Sequence, residues 1–140
     1  MPRTNNESSR KKSSSSSIPK KRIRSELCTL MIIDIVGYTN RTANLSKEEF
    51  SKLHDDFDNI CKSLFTKYRG SIINKPGDAY LTKYLSASDA LNCAIELQLE
   101  FQKYSYDKNP LYKIPVRVAL HSGDVIKRGN NLFGDTVNTV

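Results

Sequence analysis

The 140 residues include 38% apolar and 26% charged side chains and no Trp, which suits one domain with a modest core. The formal charge of +7 sits in residues 1–25, where eight basic side chains face only Glu7, so residues 26–140 are neutral. That excludes a strongly basic folded surface of the kind that grips nucleic acid. The longest uncharged apolar stretch near the start, Leu30 to Ile33, is too short to span a bilayer.

Residues 1–25 are mostly Ser, Asn, Lys and Arg, with serines from Ser13 to Ser17 and only Ile18 and Ile23 to bury. Such a segment cannot offset its ordering entropy, so a disordered basic tail is expected, with the folded domain occupying 26–140. The tail could contact an anionic surface such as lipid or RNA, act as a nuclear import signal, or simply solubilise the chain. No apolar run follows it, which argues against a secretory signal. Cys28, Cys61 and Cys93 are odd in number and form no Cys-x-x-Cys pair. Buried thiols in a cytoplasmic protein are therefore expected, rather than disulfides or a zinc site.

Cys28 to Ile35 is short and rich in β-branched residues, which predicts a buried strand with one anomaly, the carboxylate of Asp34. Ser46-Lys47-Glu48-Glu49 is a capping box, and Phe50, Leu53, Phe57, Ile60, Cys61, Leu64, Phe65 and Tyr68 then recur at helical spacing. Gly70 is the expected stop. Ser71–Ile73 and Ala79–Tyr84 predict a hairpin around Lys75-Pro76-Gly77. Ser86 to Asp89 caps a second helix with Ala90, Leu91, Ala94, Ile95 and Phe101 on its apolar side, and Asn109-Pro110 closes that segment. Ile114–Leu120 and Asp124–Lys127 predict two strands separated by a His121-Ser122-Gly123 turn. The order β-α-β-β-α-β-β implies an α+β domain with helices on one face of an antiparallel sheet.

The phosphate loop Gly-x-x-x-x-Gly-Lys-Ser/Thr, the Gly-x-Ser-x-Gly elbow and the His-Glu-x-x-His helix are absent. What stands out is a pair of isolated carboxylates. Asp34 ends the first strand, Asp78 sits at the hairpin, and the first and third strands of such a sheet are neighbours. Two adjoining carboxylates repel unless a cation bridges them, and hard oxygen ligands suit Mg²⁺ or Mn²⁺. Gly37 and the residues around it could turn backbone N–H groups toward phosphates. The competing reading makes Asp34 a turn cap and Asp78 part of a Pro-Gly-Asp turn. His121 reads as a structural histidine in a strand-end turn and His54 as a solvated residue on the polar side of its helix.

Four segments resemble, in order and spacing, the motifs of class III nucleotide cyclases, the adenylate/guanylate cyclase catalytic domain. They are Met31 to Thr39, Gly77 to Leu81, Arg117 to Val125 and Phe133 to Asn138. The resemblance covers residues 26–140 and implies a ferredoxin-like βαββαβ core. It implies that a purine nucleoside triphosphate is converted to a 3′,5′-cyclic nucleotide and pyrophosphate, with two Mg²⁺ or Mn²⁺ ions held by Asp34, Asp78 and the Ile35 carbonyl. By the same resemblance Arg117 holds terminal phosphates, although an outward strand residue in a surface ion pair is its bland alternative. Asn138 positions the ribose. The resemblance further implies a head-to-tail homodimer with shared sites, one chain giving Asp34, Asp78 and Arg117 and the other Asn74, Asn131 and Asn138.

Three departures from the family pattern stand out. The base-reading positions carry Asn74 and Asn131, where the family has Lys and Asp or Glu and Cys. Either purine edge could satisfy two asparagines; Lys75 could substitute through a one-residue slip, and ATP is favoured as the commoner family substrate. A phosphate-stabilising arginine is expected four residues after Asn138, past Val140, as are the closing strands. The 140-residue chain by itself is therefore expected to be nearly inactive. A degenerate cyclase-like module that binds nucleotide or a partner without turnover is the alternative.

Overall fold

Alternate residues of a strand face opposite sides of its sheet, so a strand apolar on both sides must be covered on both. The computed structural model describes residues 24–104, 113–128, 131–134 and 137. The elements are β1 (Arg24–Ile35), α1 (Tyr38–Thr42), α2 (Lys47–Lys67), β2 (Ser71–Asn74), β3 (Tyr80–Tyr84), α3 (Ala87–Lys103), β4 (Val116–Arg128) and β5 (Asn131–Phe133). The strands form one antiparallel sheet in the order β2-β3-β1-β4-β5, so the expected ferredoxin-like core is present. Met31, Ile33 and Ile35 of β1 pack under α2 and α3 with Phe57, Phe65 and Leu97. Cys28 and Leu30 point the other way and form a smaller cluster with Val125, Leu81 and Leu132. Among the described residues no helix is long and apolar enough to cross a membrane.

The sheet departs from the expected strands in two places. Instead of two strands around a turn, β4 is a single strand of 13 residues, and His121, Ser122 and Gly123 sit in its middle opposite Leu30, Thr29 and Cys28. Residues with turn chemistry are held extended there because β1 offers a ladder along the whole length, closed by a 2.6 Å hydroxyl pair between Thr29 and Ser122. For the same reason β1 begins at Arg24, which pairs with Lys127, and takes Arg24 and Ser25 from the expected tail. Residues 1–23 lie outside the described residues, as do Asn109 and Pro110.

The helices follow their local signals with two corrections. Ser46 and Glu49 make the reciprocal bonds of the capping box at the start of α2. At its end the left-handed residue is Arg69 (φ 59°), while Gly70 N–H donates to Phe65 O at 2.8 Å and Arg69 N–H to Thr66 O, a Schellman closure. Gly70 is needed for a different reason: the Tyr84 ring lies against its Cα. In α3, Ala90, Cys93, Ala94, Leu97 and Phe101 are buried, whereas Leu91 and Ile95 are half-exposed. Ile95 lines a shallow groove of about 370 Å³ with Leu99, Val118 and Leu120.

A Cβ added at Gly70 would stand 2.6 Å from Tyr84 Cε1. That ring is buried and its hydroxyl is held by Cys93 Sγ at 3.2 Å, so it cannot swing aside. Gly70→Ala is expected to cost about 1–3 kcal/mol by overpacking. Thermal denaturation checks this, and an unchanged midpoint would show that the ring yields.

Candidate active site

Ile33 and Ile35 face the helices, so Asp34 between them emerges on the opposite face near the end of β1. Its register partner on β4 is Arg117. The guanidinium donates from Nε to Oδ1 at 3.2 Å and from Nη2 to Oδ2 at 2.7 Å, a bidentate pair that raises the arginine pKa further. Arg117 is 71% exposed and Asp34 28%, so the pair stands at the surface and adds little to stability. Its significance is chemical. Both oxygens of Asp34 are engaged by one cationic group.

Beyond β1 the chain turns at Gly37 in the left-handed region (φ 67°), and the short α1 follows. Val36 N–H donates to Pro115 O at 2.8 Å and Arg41 Nε to Val36 O at 3.0 Å, which ties the turn to the approach of β4. Tyr38 reaches back to α2. Its Oη shares a 2.8 Å hydrogen bond with His54 Nε2, and the Tyr38, Phe50 and His54 rings pack together, with Phe50 and His54 centroids 4.5 Å apart. His54 is therefore half-buried and bonded, not a solvated residue on a polar face. Its position four residues after Phe50 and three before Phe57 was the sequence signal that it borders the apolar stripe.

Asp78 leaves the β2–β3 hairpin two residues before Tyr80, and Tyr80 pairs with Ile33. It therefore stands at the same end of the sheet as Asp34. Burial pushes the Tyr38 phenol up, and the negative charge of Asp78 pushes it further. The hairpin is anchored by Lys75, whose Nζ donates to Asp58 of α2 at 2.8 and 3.0 Å and lies 4.9 Å from the Tyr80 ring centroid. Tyr80 Oη also donates to Asp58 at 2.6 Å, and burial followed by this bond lifts its pKa to about 12. Lys75 is thus engaged in holding the hairpin, and sequence reasoning had missed Asp58 altogether.

Asn74 ends β2 and accepts from Lys75 N–H at 2.8 Å, whereas Asn131 begins β5. These are the two edge strands of the sheet. Asn138 lies outside the described residues. His121 sits within β4 rather than in a turn. Among the described residues no group of three or more His, Cys, Asp or Glu could hold a metal by itself.

A sheet of this topology is also found in solved structures. One, the adenylate/guanylate cyclase/hydrolase from Silicibacter pomeroyi, shares the fold with a TM-score of 0.73 at 24% identity, over 84% of this chain and 69% of that one. The chain belongs to the adenylate and guanylate cyclase catalytic domain family, whose family model matches residues 21–140. It is similar to the adenylate cyclase of Streptomyces griseus, 30% identical over 107 residues covering 75% of this chain and 25% of that protein. It is also similar to the serine/threonine-protein kinase pkn2 of Myxococcus xanthus, 25% identical over 118 residues, 84% of this chain. The chain spans only 14% and 25% of the lengths of these curated relatives.

The anchor of the hairpin titrates. Burial pulls the Asp58 carboxyl up, but the bonds from Lys75 and Tyr80 outweigh it and hold the pKa below its ordinary value of 3.8. A carboxylate depressed in the folded state stabilises above the unfolded pKa and loses that contribution as pH falls through the folded one. Asp58→Asn is expected to lower the melting temperature at pH 7, with the gap from the parent narrowing below about pH 4. Melts between pH 7 and 3 check it; a gap independent of pH would remove the charge from the argument.

Proposed function

We propose that this chain is the catalytic domain of a nucleotide cyclase, converting a purine nucleoside triphosphate to its 3′,5′-cyclic monophosphate and pyrophosphate for second-messenger signalling. The observation that carries this reading is Asp34 gripping a cationic group through both carboxylate oxygens, at the end of the sheet that Asp78 shares, in a chain of the cyclase family. ATP is preferred over GTP, after the adenylate cyclase of Streptomyces griseus.

A divalent ion would take the place of the guanidinium at Asp34. Asp34, Asp78 and the Ile35 carbonyl would hold Mg²⁺ or Mn²⁺, with phosphate oxygens and water as the remaining hard ligands. Two such ions, when bound, acidify the ribose 3′-hydroxyl and offset charge on the departing pyrophosphate. The chain's own residues align the reactants. Arg117, freed from Asp34, offers its fork of donors to the terminal phosphates. Backbone groups at Gly37, Tyr38 and Thr39 face the phosphate chain, and Asn138 orients the ribose. The 3′-oxygen then attacks the α-phosphorus in line, forming the ring bond as the bond to pyrophosphate breaks.

Asn74 and Asn131 read the base. In the head-to-tail homodimer that the family pattern implies, one chain gives Asp34, Asp78 and Arg117 and the other Asn74, Asn131 and Asn138, so each site takes one half from each chain. A cytoplasmic location fits the three free, buried thiols.

The test is product formation by the full-length protein with Mn²⁺ and ATP or GTP, resolved by chromatography. Cyclic nucleotide is expected chiefly from ATP, with Asp34→Ala lowering the rate by about 10²-fold or more. Product that survives Asp34→Ala unchanged would overturn the site. A folded protein that binds triphosphate and yields no product would make it the non-catalytic nucleotide-binding module instead.

A further inference from the structure

The turn that leaves Asp34 is tied to the approach of β4 at Val36, but α1, which follows it, has little of its own to hold it. α1 is five residues long, buries none of its residues, and its N-cap Gly37 makes no side-chain cap bond. A turn so small is unstable unless tertiary contacts fix it. The side chain that leaves α1 for the body of the domain is Tyr38, which packs on the main core. It ends on His54, one of the three rings that α1 and α2 bring together. Asp78 is near enough to Tyr38 for its charge to bear on the phenol. Tyr38 therefore follows Asp34 by four residues and lies within electrostatic reach of Asp78.

We propose that His54 is a positioning residue of the site: through its bond to the Tyr38 hydroxyl it holds α1 against α2 and so fixes the Gly37 turn that follows Asp34. His54 touches neither substrate nor metal in this role. It acts through Tyr38, and its imidazole suits the task because one ring nitrogen meets the phenol while the ring face packs on Phe50 at 4.5 Å. A solvated helix histidine would do none of this. The inference rests on the cyclase reading for its consequence but not for the anchoring itself.

The experiment compares the parent full-length protein with His54→Ala, His54→Gln, Tyr38→Phe and the double variant His54→Ala/Tyr38→Phe. Two readouts are taken, amide hydrogen exchange across residues 36–45 and calorimetric binding of Mn²⁺ with ATP. His54→Ala is expected to speed exchange in α1 while leaving α3 unchanged, and to weaken binding about fivefold, the loss of one hydrogen bond. Tyr38→Phe is expected to match it, and the double variant to add nothing, since both remove the same link. His54→Gln, which can still meet the hydroxyl, is expected to bind within about twofold of the parent. Additive effects of the two single changes, or unchanged exchange in α1, would overturn the proposal. So would faster exchange with unchanged affinity. A parent protein that binds no Mn²⁺ and ATP sinks the cyclase reading instead, and the exchange data then decide alone whether His54 holds the turn.

Discussion

The long antiparallel pairing of β1 with β4 is the constraint on which the remaining structure depends. Twelve consecutive residue pairs, from Arg24 with Lys127 to Ile35 with Val116, are fixed by one register. Because side chains alternate along a strand, a slip of one residue would carry Met31, Ile33 and Ile35 out of the core and turn Asp34 into it. The hydrophobic pattern thus enforces the register, and the register in turn sets Arg117 across from Asp34. A core-packing requirement on one face of the strand decides the chemistry on the other.

Around that ladder the site is assembled from segments with little intrinsic order, each fastened to α2. The β2–β3 hairpin is held by the Asp58 carboxylate through Lys75 and Tyr80, and the Gly37 turn by the His54 imidazole through Tyr38. Asp58 and His54 are four residues apart, one turn of α2. A single helix face therefore supports both carboxylate-bearing segments, and its placement depends on Phe57, Cys61, Leu64 and Phe65 in the core. Core, anchors and site share one rigid element, which is how a surface carboxylate pair can be held in place without being buried.

Much of this was legible in the residues. The capping box, the hairpin and the apolar face of α2 carry local signals that the tertiary structure does not override. The failures have one cause. His121-Ser122-Gly123 has the chemistry of a turn, yet a partner strand roughly ninety residues away in sequence holds it extended, since ladder bonds and the Thr29–Ser122 pair outweigh local preference. Leu91 and Ile95 lie on a helix whose periodicity admits two apolar faces, and only the position of the sheet decides that Cys93 and Leu97 are inside. Gly70 was rightly singled out for the wrong reason, because the ring that passes over it comes from β3.

The sequence by itself determined the class of fold, the two carboxylates, the arginine and the family pattern that joins them, because residue type and short-range spacing specify those. Tertiary structure alone decided that Arg117 holds Asp34, that Lys75 is bound to Asp58 rather than free, and that His54 supports Tyr38. Each of these is a meeting of side chains distant in sequence. Which atoms meet is set by strand register and helix placement, and those follow from packing the whole core at once.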